Sequence, residues 1–73
     1  MKTLTSREMV RMLLDRGWYE HSQVGSHRKF KHPSDPRLRA IVPIHPSETL
    51  TPGTQHSIMR AAGISWAEIM NRD

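Results

Sequence analysis

The stretch WYEHSQVGSHRKFK at residues 18–31 carries the strongest structural signal in this chain. From Trp18 onward the side-chain pattern has a period of two, which is typical of a β-strand. Gly25 and Ser26 then permit a tight turn, so a second strand from about Ser26 to His32 completes a hairpin. In the first strand, alternation predicts one face with Trp18, Glu20, Ser22 and Val24 and the other with Tyr19, His21 and Gln23.

A helix start lies before the hairpin. Thr5 has the position of an N-cap, and Glu8 three residues later completes a capping box. The predicted helix runs to about Arg16, where Gly17 supplies a left-handed stop. Its buried face is predicted to consist of Met9, Val10, Leu13 and Leu14.

A third strand is predicted after the turn at residues 33–36. It runs from Arg37 to Ile44, and Pro43 indicates a sheet edge because proline cannot donate to a strand ladder. If Val42 and Ile44 point inward, alternation turns the remaining positions outward and brings His45 onto the face of His27. Those outward positions are Ile41, Pro43 and His45.

Two more helices are predicted in the last third of the chain. Thr51 as N-cap, Pro52 at the first helical position and Gly63 as terminator bracket the longer one. Ser65 and Glu68 repeat the capping box and open a short final helix. The buried side of the longer helix is predicted to consist of Ile58, Met59 and Ala62.

These elements predict a single α+β domain over residues 1–73, ordered α-β-β-β-α with a short extra C-terminal helix. In this two-layer arrangement the helices cover one sheet face and leave the other open. Phe30 should pack against the helices, with Arg28 and His32 toward the margins of the same side. The open face is then expected to carry His27, Lys29 and Lys31.

Composition narrows the classes of function. Eleven Lys and Arg against seven Asp and Glu give a formal net charge of +4, which suits a polyanionic ligand. The absence of cysteine excludes disulfides and thiolate zinc sites. No apolar run resembles a signal peptide or is long enough to cross a bilayer, so we expect a cytoplasmic protein with no membrane partner.

The turn at Gly25 sets an imidazole, His27, at the start of a basic strand, which suits RNA chemistry. RNA carries its own nucleophile in the 2′-hydroxyl, so an enzyme need only move protons and stabilise charge at phosphorus. Histidine is available in either protonation state near neutral pH. Lys29 and Lys31 are candidates for holding the phosphate, while a solvated strand face is an equally good interpretation of them.

A set of short motifs in a fixed order then identifies a family. They are Gly25-Ser26-His27 with Phe30 and His32-Pro33, Val42-Pro43 with His45, Leu50 with Pro52-Gly53-Thr54, Ser57-Ile58, and Ala62-Gly63-Ile64-Ser65. With these motifs the chain resembles the HicA-type messenger-RNA interferase toxins, which have a fold like that of double-stranded-RNA-binding domains. The chain departs from the family pattern at Thr51, where members often carry lysine.

The resemblance implies a ribonuclease whose catalytic histidine is His27. It also implies cleavage of translated mRNA, growth arrest, and silencing by a HicB-type antitoxin in a hetero-oligomeric complex. Further RNA contacts are predicted at Ser26, Arg28, Lys29, Lys31 and His45, although Ser26 could equally cap the turn.

Alternatives remain at this point. A non-catalytic RNA-binding module of the same fold would need the cations but not the imidazole, so a histidine in the turn favours catalysis. A concerted step needs a second proton-transfer group, for which His45 is the best candidate by its predicted facing and His21, His32 or a water are others. No histidine pair shows helical ligand spacing with a carboxylate, so neither a metal site nor a cofactor is predicted.

Overall fold

Helices and strands follow one another in the predicted order in the computed structural model, which describes residues 2–45 and 48–71. Within these residues no helix is long and apolar enough to cross a membrane. The fold is α+β, as expected. The elements are α1 (Ser6–Asp15), β1 (Tyr19–Val24), β2 (His27–Lys31), β3 (Arg39–Pro43), α2 (Pro52–Ala62) and α3 (Trp66–Met70).

The helix termini are set by local side-chain bonds, as the sequence predicts. The Thr5 hydroxyl accepts from the Glu8 backbone N–H at 3.1 Å, and the Glu8 carboxylate accepts from the Thr5 N–H at 2.9 Å. Ser65 and Glu68 form the same capping box at α3. Gly63 ends α2 with a left-handed φ of 69°. The capping predictions are therefore confirmed at both ends of the chain.

The three strands form an antiparallel sheet in the order β1-β2-β3. Pro43 therefore lies on an edge strand, as predicted. The strict alternation expected for β1 is wrong, because a β-bulge interrupts the register between Glu20 and Ser22. Glu20 pairs with Phe30 and faces the helices, whereas Ser22 and Val24 lie on the opposite face from it.

The hydrophobic core lies between the helices and one sheet face, and Phe30 is fully buried there as predicted. Leu14 is an exception, since the sequence places it in the core and 47% of its surface is exposed. It follows Met9 by five residues, which rotates it about 140° around the helix axis, and Met12 takes the buried position instead. The core residues are Leu4, Met9, Val10, Met12, Leu13, Trp18, Phe30, Ala40, Val42, Leu50, Ile58, Met59, Ile64 and Ile69, with Ile44 and Ala62 packed against them.

A buried glutamine holds the segment before α1 in place. The Gln55 side chain of α2 is fully buried, accepts from the Leu4 N–H at 2.6 Å and donates to the Lys2 carbonyl at 2.8 Å. Leu4 in turn accepts from the Leu50 N–H at 2.7 Å. The N-terminal segment is thereby tied to α2 and to the segment just before it, a connection the sequence pattern did not predict.

Candidate nucleic-acid interface

A two-residue turn fixes the position of His27. Val24 and His27 form the closing pair of the hairpin, with Gly25 and Ser26 between them. Gly25 has a positive φ of 59°, and no residue other than glycine in the described chain has a positive φ. Ser26 therefore has a negative φ. The turn thus has the type II′ pattern, with glycine as the first of its two central residues. The Ser26 carbonyl accepts from the Ile44 N–H at 2.6 Å, which attaches the turn to the segment after β3.

His27 is the first residue of the central strand, and both neighbouring strands hold its backbone. It pairs with Val24 of β1 and with Pro43 of β3. Its side chain is exposed, and within residues 2–45 and 48–71 nothing hydrogen-bonds to the ring. A rigid backbone therefore presents an imidazole whose nitrogens are open to a ligand.

The sheet face opposite the helices, called the outer face below, is open and basic. Lys29 lies two residues beyond His27 on β2, about 7 Å along the strand. Lys31 follows Lys29 on the same face and pairs with Arg39 of β3, which adds one further positive charge beside the row on β2. The register assigns to the outer face Tyr19, Ser22, Val24, His27, Lys29, Lys31, Arg39, Ile41 and Pro43, none of which is acidic.

A shallow cavity of about 210 Å³ lies on this face. It is lined by His21, Ser22, Lys29, Phe30, Lys31, Arg39 and Ile41. His21 is the extra residue of the β1 bulge, and its Nδ1 lies 3.4 Å from the Ser22 hydroxyl. From the sequence, His21 is predicted only as a possible proton-transfer group, and Arg39 is not predicted to belong to the site. The reason is that the proximity of these two residues depends on strand register.

Four carboxylates elsewhere in the described chain form ion pairs with other cations. Glu20 pairs with Arg28 on the helix side of the sheet. The ion pairs Arg11–Asp15 at 3.3 Å, Arg16–Glu68 at 2.6 Å and Arg37–Asp35 at 3.0 Å lie on other elements. Among the described residues no ion pair involves Lys29, Lys31 or Arg39, so their charges remain available to an anionic ligand.

Two carboxyl groups outside the interface have lowered pKa values. The Arg37 guanidinium and the Arg37 backbone N–H bond to Asp35 and lower the pKa of that carboxyl. The Ser65 backbone N–H, and after it the Arg16 guanidinium, lower the pKa of Glu68. Both effects stabilise surface structure away from His27.

Arg28 lies on the opposite side of the sheet from His27, as alternation predicts. Its guanidinium is 5.4 Å from the centre of the Phe30 ring, in addition to its ion pair with Glu20. Ser26 is exposed in the turn next to His27. Of these two predicted RNA contacts, Ser26 is therefore beside the imidazole and Arg28 is not.

His45 lies two residues beyond Pro43, which pairs with His27 across β2 and β3. His45 lines a space of about 190 Å³ together with Pro43, and with Thr51 and Thr54 at the start of α2. The Ser6 hydroxyl donates to the Pro43 carbonyl at 2.6 Å and accepts from the His45 N–H at 3.3 Å. These bonds attach the end of β3 to the start of α1, a contact that the sequence pattern does not predict.

Metal ligation is not indicated by the described side chains. Across residues 2–45 and 48–71, no group of three or more His, Asp or Glu residues could hold a metal ion.

A helix, a three-stranded antiparallel meander and two further helices, with one sheet face covered and the other basic, define a small α+β protein with a fold like that of double-stranded-RNA-binding domains. The sequence model of the family described as the HicA toxin of bacterial toxin-antitoxin systems matches residues 6–64, from the start of α1 to just after α2. The chain therefore belongs to the HicA toxin family. A comparison with curated proteins gives no match.

Proposed function

We propose that this toxin is a metal-independent endoribonuclease that cuts mRNA, with His27 as the proton-transfer group. The supporting observation is the placement of an exposed imidazole on a backbone held from both sides, at the end of a face that carries cations and no carboxylate. Binding alone would require only the cations. An imidazole held in this way favours chemistry at a phosphodiester.

The reaction that suits this arrangement is transesterification by the RNA itself. The 2′-oxygen attacks phosphorus while a base removes its proton, and the bond to the 5′-oxygen breaks as that oxygen gains a proton. His27 serves as base or as acid in this step, and Lys29 lies near enough to stabilise the negative charge that develops on the phosphate. A water or His21 is available for the second proton transfer, and Ser26 can donate its hydroxyl to the phosphate.

Arg28 and His45 are weaker candidates for the reacting phosphate. Arg28 lies on the other sheet face, and His45 lines a cavity at the start of α2. Contacts from them would therefore fall on parts of the RNA that pass beyond the reacting bond.

The partner we propose is a HicB-type antitoxin that forms a hetero-oligomeric complex with this chain. Family membership supports this, because the family consists of toxins of bacterial toxin-antitoxin systems. An mRNA nuclease arrests translation and growth unless it is neutralised, so the toxin and its antitoxin are expected together in the cytoplasm. The whole chain, residues 1–73, is proposed to act as one toxin domain.

The test is cleavage of a long unstructured RNA in EDTA by the parent and by His27→Asn, which keeps a polar side chain of similar size. Loss of a positioned acid or base should lower the rate by about a hundred- to ten-thousand-fold. His56→Asn is the matched control, because His56 is exposed on α2 and stacks on Trp66 with ring centres 6.3 Å apart. Equal rates for the parent and His27→Asn would contradict the proposal.

A second candidate is an RNA-binding module that does not cut, since the open row of cations would serve binding equally well. In that case all three proteins would retard RNA in a gel shift and none would shorten it. Circular dichroism on each variant ensures that a missing activity does not reflect a missing fold.

A further inference from the structure

We propose that the outer face binds single-stranded RNA, with Lys29, Lys31 and Arg39 on its phosphates and Tyr19 stacked on one of its bases. This inference rests on the proposed function and goes further, because it names the form of the substrate and assigns roles to Tyr19 and Arg39. It is argued from exposure, charge and strand register.

Charge makes the outer face complementary to a polyanion. His27, Lys29 and Lys31 follow one another on β2, and Arg39 stands beside Lys31 on β3. Glu20, the acidic residue of β1, faces the other way and pairs with Arg28. Nothing on this face would repel a phosphate backbone.

An exposed aromatic ring and two exposed apolar side chains among these cations indicate contact with unpaired bases. Tyr19 is 46% exposed, and among the described aromatic contacts none involves its ring. Val24 and Ile41 on the same face are 63% and 45% exposed. Cations that follow the backbone, combined with an aromatic ring for stacking, are the usual means of holding a single strand. A duplex would bury the base faces that Tyr19 could contact.

The spacing fits a strand that extends away from the reacting bond. Tyr19 pairs with Lys31, so it lies at the far end of β2 from His27, about 13 Å along the strand. Lys29 lies between these ends. An RNA whose reacting phosphate is at His27 thus passes the cation row before one of its bases reaches Tyr19.

The β1 bulge contributes to the same surface. It places His21 in the cavity with Lys29, Lys31 and Arg39, where a ring nitrogen can donate to a phosphate oxygen. Bulges frequently redirect a side chain next to a functional site. The bulge thus adds a fourth polar group to the phosphate-binding part of the face.

The test measures affinity for a short fluorescent RNA in which every 2′-oxygen is methylated. This RNA lacks the nucleophile for cleavage, so its binding does not depend on what His27 does. Tyr19→Leu should weaken binding by at least about fivefold with an unchanged salt dependence, whereas Tyr19→Phe should bind like the parent. Arg39→Gln should reduce the slope of log affinity against log salt by about 0.7.

Arg11→Gln is the charge-matched control, because Arg11 lies on the exposed side of α1 in a surface ion pair. It should bind like the parent, and a duplex of the same length should bind more weakly than the single strand. Tighter duplex binding, or unchanged binding by Tyr19→Leu, would overturn the inference. So would variants that keep RNA affinity but lose affinity for the antitoxin, since the face would then belong to a protein partner.

These experiments distinguish a failure of the catalytic proposal from a failure of the proposed single-strand surface. If the parent does not cut unmodified RNA but binds the methylated strand in a Tyr19-dependent way, catalysis is refuted and the single-strand surface stands. If it cuts RNA while the outer-face variants bind normally, only the surface assignment is refuted.

Discussion

Replacing Gln55 with methionine should destabilise the fold far more than its conservative size suggests. The Gln55 side chain is fully buried, and its amide satisfies the Leu4 N–H and the Lys2 carbonyl. Methionine fills a similar volume but offers neither a strong donor nor a strong acceptor. The variant therefore isolates the two hydrogen bonds from the packing.

The expected loss follows from the groups left without partners. A buried donor or acceptor that loses its partner costs about 1–3 kcal/mol. The Lys2 carbonyl is only partly buried and can reach water, so we expect about 2–4 kcal/mol in total for Gln55→Met. Folded chains gain about 0.05–0.15 kcal/mol per residue, or about 4–11 kcal/mol for 73 residues. The substitution should thus remove a large part of the stability and lower the Tm by about 10–25 °C.

Urea unfolding followed by the fluorescence of buried Trp18 measures this loss. Gln23→Met is the matched control, because the Gln23 amide donates at an exposed site to the Gly25 carbonyl. The control should lose no more than about 0.5 kcal/mol. If Gln55→Met loses no more than the control, Gln55 does not hold the N-terminal segment and the reasoning is refuted.

Two glycines and one carboxylate supply the remaining predictions. Gly25→Ala should lower the free energy of unfolding by about 1 kcal/mol or more because of the φ of 59°, whereas Gly53→Ala in α2 should raise it by up to about 1 kcal/mol. An added methyl group meets open space at both sites, so the difference isolates the backbone conformation. Equal effects of the two substitutions in urea unfolding would refute this interpretation. The lowered pKa of Glu68 means that its charged form stabilises the fold above its ordinary pKa of 4.5, and that this contribution is lost as the pH falls through the lowered value. Glu68→Gln should therefore lose less stability than the parent between pH 7 and pH 3 in urea unfolding, and an equal loss would contradict the assignment.

Local signals explain why most of the fold could be predicted. The Thr5–Glu8 and Ser65–Glu68 capping boxes form within three residues of chain, so the sequence alone specifies them. The Gly25 turn is equally local, and it sets the position of His27. The order of elements and the candidate imidazole could therefore be obtained without any knowledge of tertiary contacts.

Features that depend on distant contacts could not be predicted. The bulge after Glu20 arises from the register of β1 against β2, and strict alternation in the sequence contains no sign of it. Gln55 is buried because it bonds to groups more than fifty residues away. The Ser6 hydroxyl bonds to the His45 N–H across 39 residues of sequence. Arg39 joins the interface only through its pairing with Lys31.

The chemical nature of the RNA ends gives the most direct test of the central claim, that His27 promotes attack by the 2′-oxygen of RNA. A defined RNA is cut in EDTA by the parent and by His27→Asn, and the fragments are weighed by mass spectrometry. We predict fragments with a 2′,3′-cyclic phosphate or a 3′-phosphate and a 5′-hydroxyl, formed by the parent and not by the variant. Fragments with a 3′-hydroxyl and a 5′-phosphate, or equal yields from both proteins, would contradict the account.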